Sequence, residues 1–405
     1  MDLFEKCRGF YSDPAVAHEM GYPASPHEAQ AMGLYPFFIP LNQSEGTEAT
    51  IDGRRLIMIG SNNYLGLTAH PHVRQAAIDA LQRFGPSCTG SRFLNGTLAL
   101  HEEIEGRLAK FVGMEDALVF STGYQTNLGT LSALVGRGDV IIGDRENHAS
   151  LVDGSRLALG KLLRFRHNDM NDLERVLRGV SENAGKLVVV DGVFSMSGEI
   201  APLPEIASLC HEYGARLMVD DAHGMGVTGR GHGTAAHYGL TDQVDLIMGT
   251  FSKSFASIGG FIAGAASTIH WIKHLARPLI FSASLPAPNV AAALAALEVI
   301  EQEPERVERV NAIAERMRRG YRELGFKVGS SDTPIVPILI GDQLKTLKTW
   351  KALFEAGVYT NVAIPPAVPP GESILRTSYM ATHTDEQMDE VLRVFAQVGE
   401  IEELI

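Results

Sequence analysis

Short apolar runs that alternate with helical patterns constrain the fold of this chain more than any other feature. Runs that are typical of buried strands occupy residues 117–120, 140–142, 187–191 and 216–220, and turn residues follow each of them. Between the last two runs, a pattern with an apolar face begins at Pro204 and stops at Gly214, as a helix does. Strands that alternate with helices predict an α/β fold with a mostly parallel, doubly wound sheet covered on both faces.

The chain divides into three predicted regions. Prolines interrupt residues 1–50, which we expect to form an N-terminal arm that wraps over a larger body. Residues 51–280 are predicted to form the large α/β domain, which opens with a hairpin turning at Asp52 and Gly53. Residues 281–405, with two helical patterns followed by apolar runs at 334–340 and 374–378, are predicted to form a small α+β domain.

Composition indicates a soluble enzyme. The chain has 405 residues, of which 45% are hydrophobic and 20% charged, so it can bury a sizeable core. The 35 Lys and Arg residues against 48 Asp and Glu residues give a formal charge of −13, which argues against a nucleic-acid partner. The three cysteines are widely spaced and odd in number, which fits neither a disulfide framework nor a zinc site, so no metal is expected.

The cysteine pattern also favours a reducing cytoplasm. The first residues carry early charges and no apolar run, so a secretory signal is not expected. The most apolar long window, residues 279–300, contains serines and prolines that fit a buried helix better than a transmembrane segment. Peripheral contact with a membrane surface stays open.

A lysine flanked by small hydroxyl residues follows a further apolar run at 245–248. Thr250, Ser252 and Lys253 would lie at the carboxyl end of a strand, where open α/β sheets bind ligands. A lysine amine forms Schiff bases with carbonyl groups, and hydroxyls beside it can hold a phosphate. Pyridoxal phosphate (PLP) offers both groups. The alternative is that Lys253 is an ordinary solvated surface charge.

Two other strand ends carry candidate groups. The polar run 121–127 precedes a helix that we expect from Leu128, so it is either a phosphate site at a helix N-terminus or a plain turn. Asp220 ends the strand at 216–220, and His223 follows it. An ionised carboxylate beside a pyridine nitrogen keeps that ring protonated and makes it an electron sink. The alternative is a helix-capping aspartate with a structural histidine.

His148 and Arg376 also have two interpretations each. His148 follows the strand at 140–142 and could stack on a flat ring, or it could be a structural histidine. Arg376 follows an apolar run and could bind a carboxylate through two parallel hydrogen bonds, or it could be solvated.

Residues 224–229 match the G-x-G-x-x-G dinucleotide fingerprint. That fingerprint requires a helix to open within it, but further glycines at 231 and 233 favour an extended loop. A nicotinamide-dependent dehydrogenase is therefore a remote alternative.

The ordered motifs together resemble the α-oxoamine synthases, which are fold-type I PLP enzymes that condense an amino acid with an acyl thioester and release carbon dioxide. The motifs lie at residues 147–150, 220–226, 249–254, 281–286 and 376–384, and the resemblance runs from about residue 30 to the end. Within that family, residues 90–97 and 366–369 are most similar to bacterial serine palmitoyltransferases.

The resemblance implies a role for each matching residue. Lys253 would hold PLP as a Schiff base and move protons, Asp220 would pair with the pyridine nitrogen, His223 would contact the ring hydroxyl, and His148 would stack on the ring. The remaining implied cofactor contacts are Gly123, Tyr124, Ser195, Thr250 and Ser252, joined by Ser282 and Ala283 of a partner subunit. Arg376, Asn63 and Tyr64 would bind substrate, with Tyr64 reaching across a dimer interface.

The reaction implied is condensation of L-serine with palmitoyl-CoA, a long-chain acyl-CoA, in a homodimer with shared active sites. The product would be 3-ketodihydrosphingosine, in the first step of sphingolipid synthesis. Other members of the family, such as 8-amino-7-oxononanoate synthase or 2-amino-3-ketobutyrate CoA ligase, use glycine or alanine with other acyl groups. Some relatives carry a second arginine where this chain has Ile364, so carboxylate binding would depend more on Arg376 and His148.

Overall fold

The computed structural model describes residues 2–19, 22 and 24–405. Within the predicted arm, positions 1, 20, 21 and 23 lie outside the described residues. The strands are β1 (Gln43–Glu45), β2 (Glu48–Ile51), β3 (Arg54–Met58), β4 (Asp116–Phe120), β5 (Val140–Asp144), β6 (Lys161–Phe165), β7 (Lys186–Asp191), β8 (Arg216–Asp220), β9 (Leu246–Thr250), β10 (Gly260–Gly264), β11 (Ile335–Gly341), β12 (Val358–Tyr359), β13 (Asn361–Ala363) and β14 (Ser373–Ser378). The α-helices are α1 (Glu5–Ser12), α2 (Pro14–Glu19), α3 (Pro26–Ala31), α4 (Pro71–Phe84), α5 (Ala99–Val112), α6 (Gly123–Leu134), α7 (Ala149–Leu157), α8 (Met170–Arg178), α9 (Leu203–Glu212), α10 (Thr234–His237), α11 (Ala266–Leu275), α12 (Arg277–Ile280), α13 (Ala287–Gln302), α14 (Glu305–Glu323), α15 (Gln343–Glu355) and α16 (Asp385–Ile401). Single 3₁₀ turns occupy Leu67–Ala69, Gly229–Gly231 and Thr241–Gln243.

The chain divides into two compact units. Unit 1 comprises the described residues of Met1–Ser61, Met196–Gly198 and Val310–Ile405, and unit 2 comprises Asn62–Ser195 and Glu199–Arg309. These units differ from the predicted boundaries at residues 50 and 280, because β3 pairs with β12 in unit 1 and α13 packs on α4 in unit 2. Among the described residues, no helix combines the length and the apolar character that a bilayer span requires.

Unit 2 is built on a seven-stranded sheet with the order β4-β10-β9-β8-β7-β5-β6. The strands from β9 to β6 pair in parallel, and β10 pairs antiparallel with both β9 and β4. The mostly parallel α/β sheet predicted from the sequence is therefore confirmed. The middle residues of its central strands are apolar because these strands are buried on both faces, and burying each Val or Leu side chain contributes about 1.5–3 kcal/mol.

Two strands of this sheet were not predicted. Strand β6 lies at the edge, where Lys161 and Arg164 are exposed and interrupt the apolar run. Strand β10 begins and ends with glycine, which reads as a turn in the sequence. The expected start of α6 at Leu128 was also wrong: the helix begins at Gly123 because Thr122 Oγ1 accepts a hydrogen bond from the Gln125 amide and caps it.

Unit 1 contains two small sheets, with strand orders β1-β2-β3-β12 and β11-β14-β13. The predicted hairpin is confirmed: β2 pairs antiparallel with β3 around Asp52 and Gly53, both of which have positive φ. The helices α14, α15 and α16 bury apolar side chains in one core, among them Tyr321, Trp350 and Phe395. The wrapping of an N-terminal arm stays a prediction.

A buried ion pair holds the start of the glycine-rich stretch 90–97 in unit 2. The two terminal nitrogens of the Arg92 guanidinium donate to Glu105, at 2.7 and 2.9 Å, and both side chains are less than a tenth exposed. Glu105 Oε1 also accepts from the backbone amide of Val119 in β4 at 2.8 Å. The pair therefore joins the loop, α5 and the sheet.

We predict that Arg92→Met lowers the free energy of unfolding by about 3–5 kcal/mol, because it leaves the Glu105 carboxylate buried without its cation. The double variant Arg92→Met/Glu105→Gln should recover part of the loss, since a glutamine oxygen still accepts from Val119 without carrying a charge. Urea unfolding midpoints measure both variants. Equal stability of the single and the double variant would refute this explanation.

His167 joins three strand ends at the carboxyl edge of the sheet. Its Nδ1 lies 3.0 Å from Asp144 Oδ1 at the end of β5, and its Nε2 lies 2.9 Å from Glu199 Oε2 in the turn after β7. Burial lowers the pKa of His167, but the hydrogen bonds to Asp144 and Glu199 prevail and raise it to about 9. The charged imidazole is therefore the native form at neutral pH.

A folded-state pKa above the unfolded value of 6.5 stabilises the protein fully below about pH 6.5, and this stabilisation disappears as the pH rises through about 9. We predict that, between those pH values, the free energy of unfolding falls by about 1–3 kcal/mol less in His167→Gln than in wild type. Unfolding free energies measured across the range test this. His211→Gln on the exposed side of α9 is the matched control, and a control slope equal to that of His167→Gln would contradict the assignment.

Candidate active site

A cavity of about 320 Å³ opens at the carboxyl ends of the strands in unit 2. This is the edge at which an open parallel sheet binds ligands. The sequence-predicted residues that line it are Gly123, Tyr124, His148, Ser195, Asp220, His223, Thr250, Ser252 and Lys253. The structure thus brings together candidates that are up to 130 positions apart, from Gly123 to Lys253.

Lys253 lies on the loop that joins β9 to β10. Because β10 is antiparallel to β9, this loop turns back at the sheet edge, and the Phe251 amide donates to the Gly259 carbonyl at 3.0 Å. The rings of Phe251 and Phe255 are fully buried on either side of the lysine. A Cβ at Gly260 would lie 2.6 Å from Gly123 Cα, so glycine is required where the loop ends. The loop is therefore fixed on both sides of Lys253.

The first turn of α6 forms one end of the cavity. Gly123 begins the helix, and a Cβ at this position would lie 2.7 Å from Thr250 Oγ1, so a side chain would close the space. The hydroxyls of Thr250 and Ser252 are 2.9 Å apart on the facing strand end. Unpaired amides at a helix N-terminus together with hydroxyl groups form a suitable site for a phosphate.

Two carboxyl groups lie side by side at the other end. Asp191 and Asp220 are in register at the ends of β7 and β8, and both are less than a twentieth exposed. Asp220 accepts from Asn127 Nδ2 at 2.6 Å and from the Ala222 amide at 3.1 Å. Burial, and then the charge of Asp220, hold the pKa of Asp191 well above its usual range. The pair therefore favours one negative charge over two.

His148 caps the N-terminus of α7, and its Nδ1 accepts from the Ser150 amide at 3.3 Å. Burial lowers the pKa of His148, and the charge of Lys253 acts in the same direction while that of Asp220 opposes it. The neutral ring is therefore favoured. Since Nδ1 accepts, the ring proton then lies on Nε2.

Tyr64 has a contact within its own chain. Its side chain is fully buried, and its hydroxyl lies 2.7 Å from Nδ1 of His223. Its reach across a dimer interface stays a prediction. Asn63 Nδ2 donates to Thr68 Oγ1 at 2.8 Å, so it supports the same loop. Its contact with substrate stays a prediction.

The other predicted residues have defined places in the fold. Ser282 Oγ accepts from Gln125 Nε2 at 3.2 Å, and the Ala283 carbonyl accepts from Ser121 Oγ at 2.6 Å. Arg376 is buried on β14 in unit 1, and Ile364 is buried near the end of β13. Their contacts with a partner subunit or a substrate stay predictions.

Sequence reasoning assigned no individual role to four polar residues that line this cavity: Thr122, Asn127, Ser150 and Asp191. Two signals could have found them. Asn127 stands four residues after Gly123 and therefore lies on the same face of α6. Asp191 ends an apolar strand, just as Asp220 does.

Comparisons with known proteins agree with this geometry. The family model for aminotransferase class I and II matches residues 54–395. The chain is 50% identical over 383 residues to the serine palmitoyltransferase of Sphingobacterium spiritivorum, which covers 93% of this chain and 96% of the relative. It is 40% identical over 374 residues to the 8-amino-7-oxononanoate synthase of Thermoanaerobacter pseudethanolicus, which covers 92% and 95%.

The fold of the chain is also similar to that of a solved structure. A serine palmitoyltransferase with PLP as an internal aldimine superposes with a TM-score of 0.94 at 38% identity, over 100% of both chains. These similarities confirm the fold-type I architecture and the resemblance inferred from the motifs. The chain therefore belongs to the aminotransferase class I and II family, in its α-oxoamine synthase branch.

Proposed function

We propose that this chain catalyses the PLP-dependent condensation of L-serine with palmitoyl-CoA, which gives 3-ketodihydrosphingosine, CoA and carbon dioxide. The observation that carries the proposal is the 50% identity, over 93% of the chain, to a serine palmitoyltransferase. The cavity supports it, because a lysine, a buried carboxylate and a helix N-terminus meet there. These are the groups that PLP chemistry requires.

The residues of the cavity fit PLP. Gly123 leaves open the space that a Cβ would fill beside Thr250, and the hydroxyls of Thr250 and Ser252 complete a phosphate site at the start of α6. Asp220 is the carboxylate for a ring nitrogen, and His223, oriented by its 2.7 Å contact with Tyr64, is the donor for a ring hydroxyl. Lys253 provides the amine.

When bound, PLP supplies a carbonyl that condenses with amines and a ring that takes up the electron pair released at the α-carbon of an amino acid. Lys253 Nζ would hold that carbonyl and, as a free amine, would accept the proton that leaves the serine α-carbon. Asp220 would stabilise the protonated ring nitrogen by its charge. The neutral His148 ring would lie beside the cofactor and limit the access of water.

Substrate binding is proposed for Arg376, His148, Asn63 and Tyr64. Arg376 is a guanidinium that can bind the serine carboxylate through two parallel hydrogen bonds. Ile364 stands where some relatives carry a second arginine, so His148 Nε2–H is the proposed second donor to that carboxylate. Asn63 and Tyr64 complete the proposed set.

A second candidate is an 8-amino-7-oxononanoate synthase activity. The observation that favours it is the 40% identity to such an enzyme over 92% of this chain. The same lysine and carboxylate would serve that reaction. Only the amino acid and the acyl group would differ.

We also propose that the enzyme works as a cytoplasmic homodimer with shared sites. Exposed apolar side chains on unit 2 support this, because Leu94 and Phe281 are 78% and 74% exposed and a second copy would cover them. The glycine-rich stretch 90–97 that presents Leu94 is held firmly by the Arg92–Glu105 pair.

Lys253 is predicted to be the residue that PLP modifies. The purified protein should show a visible absorption band, and reduction with borohydride should attach the cofactor to a peptide that contains Lys253, as measured by mass spectrometry. Lys253→Ala should lose the attachment and lower turnover by about 10³-fold or more, because both the covalent contact and the general base are removed. The matched control Lys273→Ala, on the exposed side of α11, should keep both properties. Normal turnover in Lys253→Ala would refute the assignment.

Substrate choice is predicted to favour L-serine with a long acyl chain. Release of free CoA should be measured with serine, glycine and alanine, each against a series of acyl-CoA lengths. Serine with palmitoyl-CoA should give the highest kcat/KM, by about tenfold or more over the other pairs. If alanine with a shorter acyl-CoA is preferred, the second candidate activity replaces the first.

A further inference from the structure

Among the residues that line the cavity, Asn127 hydrogen-bonds directly to Asp220 and Ser150 and is connected through Ser150 to His148. It is fully buried on α6, and its Nδ2 donates to two acceptors, Asp220 Oδ2 at 2.6 Å and Ser150 Oγ at 2.8 Å. Ser150 Oγ lies 2.7 Å from His148 Nδ1. A single amide group therefore connects the carboxylate at the end of β8 with the imidazole that begins α7.

We infer that Asn127 is a positioning residue that keeps the negative charge of the buried carboxyl pair on Asp220 and, through Ser150, keeps the proton of His148 on Nε2. The inference rests on the proposed function, since it takes Asp220 and His148 as the groups that contact PLP. It adds Asn127 and Ser150, which act through other side chains: Asn127 sets the charge of Asp220, and Ser150 sets the position of the proton on His148.

The negative charge of the pair is placed on Asp220 because of the hydrogen-bond donors that each carboxyl group receives. Asp220 accepts a short hydrogen bond from the Asn127 side chain and another from the Ala222 amide. Asp191 accepts the backbone amide of His148 at 3.2 and 3.3 Å, shared between its two oxygens. Short donors stabilise an ionised carboxyl more than long, shared ones do. Without the Asn127 donor, the charge would be divided more evenly between the two acids.

The proton of His148 is placed on Nε2 because of the direction of each hydrogen bond between Asn127, Ser150 and His148. The Asn127 amide must present its Nδ2 to the Asp220 carboxylate, so the same nitrogen donates to Ser150 Oγ. The Ser150 hydroxyl hydrogen then points to His148 Nδ1, which also accepts the Ser150 backbone amide. Two donors on Nδ1 disfavour a proton there. The proton of the neutral ring is left on Nε2, where a substrate carboxylate can accept it.

Asn127→Leu tests the first part, because leucine has a similar size and no polar atoms. The dissociation constant of PLP, measured by absorbance titration of the cofactor-depleted protein, should rise about tenfold or more. The matched control Thr130→Val lies one turn along α6 and is also fully buried; its dissociation constant should stay within about twofold of wild type. If Asn127→Leu fails to fold by circular dichroism, Asn127→Thr, with its shorter side chain, is titrated in the same way.

Ser150→Ala tests the second part, because it removes the hydroxyl between Asn127 and His148 but leaves the contact of Asn127 with Asp220. PLP affinity should change by less than about threefold, whereas the dissociation constant of L-serine, read from its effect on the visible spectrum, should rise about fivefold. The matched control is Ser155→Ala, a buried serine further along α7 that donates to the Leu151 carbonyl. It should match wild type in both measurements.

The outcomes separate the inference from the proposed function. If the wild-type protein binds no PLP, the proposed function fails. If the wild type binds PLP and Asn127→Leu, or its threonine substitute, binds it as tightly as Thr130→Val does, the proposed function stands and the positioning role of Asn127 is refuted. Equal loss of PLP affinity in Ser150→Ala and Asn127→Leu would refute the division of roles between the two side chains.

Discussion

The burial of two carboxyl groups at neighbouring strand ends is the constraint on which the rest of the site depends. Asp191 and Asp220 are in register on β7 and β8, so the parallel sheet itself brings them together. Burying such a pair is costly unless donors surround it. Those donors come from different elements: the Asn127 side chain on α6, the amide of His148 at the start of α7, and the amide of Ala222 after β8. The positions of α6 and of the start of α7 therefore depend on the hydrogen bonds that they donate to the carboxyl groups at the ends of β7 and β8.

The lysine reaches the same edge by a different route. In a parallel sheet, a strand usually leads into a crossover helix, but β9 turns back into the antiparallel β10. This return keeps Lys253 beside the strand ends, and the buried rings of Phe251 and Phe255 fix the loop that carries it. The close approach of Gly260 to Gly123 also ties the end of this loop to the first turn of α6. Backbone contacts thus tie the loop that carries Lys253 to the first turn of α6, where we propose the phosphate site.

Sequence could predict the features that depend on local pattern. Central strands were found because burial on both faces makes them apolar, and Lys253, Asp220 and His148 because each lies at or after the end of such a strand. The pattern left two interpretations open for each of these residues, and the resemblance favoured one of them. Strands β6 and β10 were missed because an exposed edge and flanking glycines hide them. Asn127 and Ser150 were missed because they act on other side chains, and only the packing of α6, α7 and β8 brings those partners within hydrogen-bonding distance.

Gly224, the first glycine of the dinucleotide-like stretch 224–229, has a structural explanation in Asp221, the residue after Asp220. Neighbouring residues at a strand end point to opposite sides, so Asp220 faces the cavity while Asp221 is buried behind it and accepts from the Thr234 amide and hydroxyl. A Cβ at Gly224 would lie 1.9 Å from Asp221 Oδ1. Burial raises the pKa of Asp221 to about 7 despite the Thr234 hydrogen bonds. Gly224 therefore makes room for a carboxyl group that folds the loop, and that loop presents His223 to the cavity.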